Sequence, residues 1–224
     1  MDIEANLREL EKRIARACDR AGRSPEAVTI VAVTKTVAPA AIKAASDAGL
    51  RHFGENRVQE AQSKIAELSS QMPRPTWHMV GHLQSNKAKT AVEIFDIIQS
   101  IDSMRLAEIL SRRAQDALPV LLQVNLSGEA SKGGFAPAEV SSALEEIARL
   151  PRLKVRGLMT VAPLVSDPEQ VRPIFRGLRQ LGDGLGLEEL SMGMSDDFEV
   201  AVEEGATLLR LGRAVFGSHP AGKG

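Results

Sequence analysis

Apolar residues at Ile3, Leu7, Leu10, Ile14 and Ala17 recur at alternating spacings of four and three, which is one face of an α-helix. Gly22 follows where such a helix would end, so the pattern predicts an amphipathic helix over 2–22. Beyond it the period changes. Short apolar runs of strand character lie at 28–34, 50–53, 76–80, 95–101, 120–126, 155–161, 187–192 and 207–211. Helix-patterned stretches separate them, at 58–68, 104–114, 138–150, 169–181 and 198–204, with shorter ones near Ile42 and Lys87. Strand followed by helix, repeated eight times, predicts parallel βα units.

Eight strands in 224 residues, without a Pro/Gly/Ser-rich linker or a break in composition, favour one closed (β/α)8 barrel of the TIM type over an open doubly wound sheet. The barrel is expected over about 28–217, within a single domain covering 1–224. No G-x-G-x-x-G follows the first strand, so a Rossmann dinucleotide site has no anchor. After the eighth strand come only Val215, Phe216, Gly217 and a short polar tail. The last helix of the ring is therefore expected to be missing, with the N-terminal helix packed in the gap.

Composition narrows the function classes. The hydrophobic share of 43% and the charged share of 25% are ordinary for a globular chain. A net charge of −1 offers no electrostatic footprint for nucleic acid or an anionic membrane, and 3% aromatics give few platforms for stacking bases. Cys18 is the only cysteine and falls on the apolar side of the first helix, which marks it as a buried structural thiol. No apolar stretch approaches the roughly 18 residues of a membrane span. Acidic residues stand at the N-terminus where a signal peptide carries basic ones, so a cytoplasmic location is expected.

In parallel α/β folds the active site collects at the C-terminal ends of the strands. Lys35 ends the first run. If it is held in apolar surroundings, its pKa should fall below about 10.4, leaving a free amine suited to Schiff-base chemistry. The competing reading is that the strand has ended and Lys35 reaches into solvent. After the second strand comes Asn56, either a hydrogen-bonding group for a phenolic or carbonyl oxygen or a cap for the next helix. After the third comes the polar cluster Gly81-His82-Leu83-Gln84-Ser85-Asn86-Lys87. His78 and His82 are four apart but on a strand-to-loop path that does not hold them on one face, so no metal site is expected. The longest loop, Asn125 to Phe135, carries Lys132 among small residues and reads as a lid or a solvated connector.

The last two strand ends supply Ser191-Met192-Gly193-Met194-Ser195-Asp196-Asp197 and Arg210-Leu211-Gly212-Arg213. Barrels of this type often bind phosphate there, with backbone N–H groups at a glycine turn and a helix N-terminus. Met159, Met192 and Met194 read as core filler by their side chains. An amine at one edge of the barrel mouth and a phosphate cup at the opposite edge describe a pyridoxal 5′-phosphate (PLP) site.

These motifs, together with Ala32-Val33-Thr34-Lys35-Thr36, His52-Phe53-Gly54-Glu55-Asn56, Trp77-His78 and Gly157-Leu158-Met159-Thr160, resemble the YggS/PROSC family of pyridoxal phosphate homeostasis proteins. The resemblance runs from about residue 28 to 217, with the motifs in family order. It implies a barrel like the N-terminal domain of alanine racemases, with Lys35 as the Schiff-base lysine and Asn56 beside the ring. By the same analogy Arg210 faces the pyridine nitrogen, and the backbones of Met194, Ser195, Gly212 and Arg213 hold the phosphate. Lys132 matches a family lysine near the site, implying an auxiliary role in loading or releasing the cofactor. Two departures stand out: Arg57 where many members have tyrosine, and Arg213 where many have threonine. The second leaves a backbone contact standing but not a side-chain one.

Three function classes follow. The first is a carrier that holds PLP and hands it to apo PLP-dependent enzymes, acting as a monomer. The second is a single-domain racemase-like enzyme, and the third a Schiff-base aldolase without cofactor. A two-base racemase needs a tyrosine from a second domain; this sequence contains no tyrosine, and 224 residues leave no room for that domain. An arginine at the ring nitrogen opposes a second positive charge there and weakens the ring as an electron sink. The phosphate cup argues against the aldolase. The expectation is a carrier without robust catalysis.

Overall fold

The computed structural model describes residues 2–129 and 132–217. It opens with α1 (Ile3–Ala21), β1 (Thr29–Val33), α2 (Pro39–Asp47), β2 (His52–Glu55) and α3 (Val58–Leu68). The middle comprises β3 (Thr76–Met79), α4 (Ala88–Ile94), β4 (Ile97–Ile101), α5 (Met104–Arg113), β5 (Leu118–Gln123) and α6 (Val140–Ala148). The chain then runs through β6 (Leu153–Met159), α7 (Arg172–Leu185), β7 (Glu189–Ser191), α8 (Phe198–Glu203), β8 (Leu208–Leu211) and α9 (Arg213–Phe216). The strands pair in parallel in chain order, and β8 closes onto β1 with Val31 opposite Arg210 and Ala32 opposite Leu211. The fold is the expected (β/α)8 barrel with an added N-terminal helix.

Closure corrects one expectation. Because β8 hydrogen-bonds to β1, the loops after β7 and β8 adjoin the end of β1 rather than facing it across the mouth. The eighth helix also exists, but α9 is a single turn. The gap it leaves is filled as the sequence predicted: α1 packs against α8, α9 and α2. Its buried stripe is the predicted one, Ile3, Leu7, Leu10, Ile14 and Ala17, with Cys18 beside it, and Gly22 ends it in the left-handed conformation at φ 64°. Polar contacts fix its seat. Arg13 Nε donates to Glu199 Oε1 at 2.6 Å while its guanidinium covers the Phe198 ring, and Arg23 donates to the carbonyls of Val202 and Ala206.

Side chains alternate across the strands as the pleat requires. Ala32, Phe53, Trp77, Ile98, Leu122, Leu158 and Leu209 join the large core between strands and helices, whereas Val31, Leu121, Met159 and Leu208 form a smaller cluster of their own inside the barrel. Gly157 lets β6 and β7 approach: a Cβ there would lie 1.8 Å from the Glu189 carbonyl oxygen. Among the described residues, no helix is long and apolar enough to cross a membrane.

Candidate functional site

Lys35 follows β1 at the C-terminal face, as predicted, but not in apolar surroundings: it is exposed. Its turn is tied to the structure behind it. Lys64 Nζ, on α3, donates to the Thr34 carbonyl at 2.5 Å, to Glu55 Oε1 at 2.9 Å and to Glu60 Oε1 at 2.6 Å. Burial pushes the Glu55 carboxyl up, against hydrogen bonds from Thr34 and Lys64. Burial also opposes ionisation of Glu60, but bonds from Lys64 and the Thr36 N–H outweigh it and hold that carboxyl below its ordinary range.

The Arg210 side chain is buried in the barrel, where burial lowers its pKa to about 10 against the opposing charge of Asp197. Its hydrogen-bond partners here are neutral. Nη1 donates to Ser191 Oγ at 2.7 Å and Nη2 to the Thr160 carbonyl at 2.7 Å. Ser191 Oγ donates onward to Gln99 Oε1 at 2.6 Å, a bond between β7 and β4 that can only cross the barrel interior. Gln99 Nε2 lies 2.8 Å from His78 Nδ1, and His78 Nε2 lies 3.0 Å from His52 Nδ1.

Chemistry fixes the direction of this chain. Arginine only donates. Ser191, accepting from it, spends its own proton on Gln99 Oε1; the Gln99 amide then turns its N–H to His78 Nδ1. The His78 proton therefore sits on Nε2 and points at His52. Burial, then the nearness of His52 and Arg156, lowers His78 to a pKa of about 3, which keeps it neutral.

The residues expected to form a phosphate cup come together. Ser195 Oγ accepts from the Ala214 N–H at 3.2 Å, joining the β7–α8 turn to the start of α9. Within that turn the Met194 N–H donates to Asp197 Oδ1 at 2.5 Å. Gly193 has φ 94°, and a Cβ there would fall 2.6 Å from Ala201 Cβ, so the turn lies flat on α8. Gly212 borders β1, an added Cβ lying 3.5 Å from the Val33 carbonyl oxygen. The Arg213 side chain turns outward to pair with Asp196 Oδ2 at 2.5 Å.

Asn56 is half-buried at the end of β2 and is not spent on capping, since α3 has Arg57 as its N-cap without a side-chain bond. Gly81 is required beside it, because a Cβ would meet the Asn56 carbonyl oxygen at 2.4 Å. A cavity of about 340 Å³ opens there, between the loops after β2 and β3. His82 is exposed and pairs with Asp102 at 2.9 Å, away from His78. The loop carrying Lys132 folds around Asn125, whose side chain donates to the carbonyls of Glu129 and Lys132, while Lys132 Nζ lies 2.8 Å from Glu129 Oε1. A cavity of about 720 Å³ on the opposite face, near Trp77 and Phe95, has no lysine among its described lining residues.

Sequence reasoning missed Gln99, the bonds that tie Ser191 and His78 to it, and the Glu55–Glu60–Lys64 cluster. The available signals were polar residues inside apolar runs, such as Gln99-Ser100 between Ile98 and Ile101, and the i,i+4 spacing of Glu60 and Lys64.

Comparison with known proteins places this geometry. Residues 5–220 match the family model of the alanine racemase N-terminal domain. A pyridoxal phosphate homeostasis protein of Pseudomonas aeruginosa is 44% identical, the alignment covering 98% of this chain and 97% of the relative. The chain belongs to the family of pyridoxal phosphate homeostasis proteins. The Aquifex aeolicus member is 43% identical over 97% of this chain and 98% of its own. Among solved structures, PipY of Synechococcus elongatus with PLP bound is 42% identical, superposes with a TM-score of 0.84, and is matched over 96% of this chain and 100% of its own. Alanine racemase of Corynebacterium glutamicum shares the fold at 19% identity and a TM-score of 0.65, covering 99% of this chain and 62% of the racemase.

Proposed function

We propose that this chain is a cytoplasmic, monomeric carrier that binds PLP at the C-terminal face of its barrel and passes it to apo PLP-dependent enzymes. The observation that carries the reading is the adjacency, around the β1–β8 seam, of the strand end that carries Lys35, the buried Arg210, and the bond that joins Ser195 to the start of α9 at Ala214.

The donor set fits such a group. Arg210 has five N–H donors, and the two bonds described leave others for an acceptor such as a pyridine nitrogen. Held by neutral partners, it remains a cation near pH 7 and cannot supply a proton to that nitrogen. The N–H groups at Ser195, Gly212 and Arg213, at a short helix start, suit a phosphate. Bound there, the cofactor supplies an aldehyde that an amine holds reversibly with loss of one water. Lys35, exposed at the mouth, is the amine in reach of an entering molecule. Asn56 orients the ring from the β2 side.

The absence of tyrosine from the sequence supports carriage over two-base racemisation. Leu164 is the large hydrophobic side chain found exposed among the described residues, which supports a monomer. Borohydride treatment of the PLP-loaded protein followed by peptide mapping tests the amine: the label is expected on Lys35 and lost in Lys35→Ala, and a label on Lys132 or Lys87 refutes it. Mixing loaded protein with an apo PLP enzyme should restore that enzyme's activity. Amino-acid turnover by the carrier at about 1–1000 per second would instead make it an enzyme.

A further inference from the structure

Lys35 occupies a turn that its own sequence disfavours. The Val37 N–H donates to the Thr34 carbonyl at 2.9 Å, closing Thr34-Lys35-Thr36-Val37 as a β-turn with Thr36 at φ 61°. Lys35 has no positive φ, so Thr36 takes the third position of a type II turn, where glycine or asparagine is usual. A β-branched residue there is strained and persists only where its surroundings impose it.

The surroundings are one ionic cluster that grips the backbone on both sides of Lys35. Glu60 Oε1 accepts from the Thr36 N–H at 2.7 Å. On the other side, Lys64 Nζ holds the Thr34 carbonyl, and Thr34 Oγ1 donates to Glu55 Oε1 at 2.6 Å. The three N–H groups of the Lys64 ammonium meet three acceptors: Glu55, Glu60 and the Thr34 carbonyl. Glu55 is wholly buried and Lys64 nearly so, with side chains 0% and 10% exposed. Burying such charges is a poor way to stabilise a fold, since apolar residues of similar volume do as well or better. What these charges do that apolar residues cannot is fix two backbone groups. Glu55 lies on the helix-facing side of β2, sharing that side with Phe53, so the cluster acts from behind the strand rather than from the mouth.

We propose that Lys64, with Glu55 and Glu60, is a positioning device that imposes the strained turn and thereby sets where the Lys35 amine meets an aldehyde. The inference rests on the PLP reading above. Ring and phosphate contacts come from the loops after β2, β7 and β8, so relaxing the turn leaves them in place.

The test compares two probes. PLP presents an aldehyde to Lys35; pyridoxamine 5′-phosphate has the same ring and phosphate but an amine in its place and forms no bond to a lysine. Glu60→Ala removes the acceptor of the Thr36 N–H at a side chain 28% exposed, where folding should survive. It is expected to weaken PLP binding about ten- to a hundredfold, the loss of one charge-assisted bond, while pyridoxamine phosphate changes by less than about twofold. Glu60→Gln keeps an oxygen for both partners and should restore PLP binding to within about threefold of wild type. Lys64→Met, checked for folding by circular dichroism, should show the same selective loss. An equal loss of both compounds, or no loss of either, overturns the proposal. A folded wild-type chain that binds neither compound overturns the cofactor reading itself.

Discussion

The neutral His78 in the barrel interior makes a quantitative prediction about acid stability. It is fully buried between His52 and Gln99, and its pKa in the folded chain is about 3. In the unfolded chain the ordinary value of about 6.5 applies. Between those two values the unfolded chain binds a proton that the folded one does not, so stability rises with pH across that window and is lost as the pH falls. At about 1.4 kcal/mol per pH unit the full interval amounts to about 5 kcal/mol, of which about 2.5 kcal/mol is spent between pH 7 and 4.5, above most carboxylate titrations. The control is His78→Gln, which offers an acceptor to Gln99 and a donor to His52 but does not titrate. Urea unfolding of both proteins across pH 7 to 4.5 should show wild type losing about 2.5 kcal/mol more than the variant. His52, whose pKa burial also lowers against the pull of Asp96, contributes with the same sign in both and cancels in the comparison. Equal losses would mean that His78 takes up a proton in the folded state, and the directional chain to Arg210 would fall with it.

Ser195→Ala removes a side-chain oxygen from the proposed phosphate cup and should weaken PLP binding about tenfold or more, measured by titration of the visible absorbance. In wild type, pyridoxal without phosphate should bind far more weakly than PLP, and equal affinities would exclude the cup. Gly157→Ala forces a Cβ to within 1.8 Å of the Glu189 carbonyl oxygen and should cost about 3 kcal/mol or prevent folding, whereas Gly184→Ala, inside α7 with nothing within 4 Å, should gain about 0.5–1 kcal/mol in urea unfolding.

Much of the architecture was legible because period and punctuation report on one strand or helix at a time. The run 28–34 became β1 at Thr29–Val33, and 58–68 became α3 at Val58–Leu68. Which strand ends adjoin is a property of the closed ring, so the loops after β7 and β8 were expected across the mouth from Lys35 and lie beside the end of β1 instead. For Lys35 the apolar run before it left two readings open, an amine held in apolar surroundings or one reaching into solvent, and the turn after β1 decides for solvent. Lys132 was legible as a lysine in a small-residue loop that matches a family lysine; its seat beside Glu129 depends on how Asn125 gathers that loop.

The residues that escaped notice share a physical reason. Gln99 and Ser191 belong to β4 and β7, which are not neighbours, and their bond exists only because closure brings those strands face to face across the interior. A polar residue within an apolar run is a cost in any local account, and the sequence does not say where the compensating partner stands. Arg210 shows how far such a cost propagates. A buried guanidinium with no carboxylate bonded to it needs acceptors; each acceptor that is a hydroxyl or amide must pass on its own proton, and the obligation runs through Ser191, Gln99 and His78 until it reaches half-buried His52. The polarity of the barrel interior is thus dictated from Arg210. Replacing Arg210 by a neutral residue would release the direction of every bond in that chain, and loss of the single His78 tautomer in nitrogen NMR spectra is the expected sign.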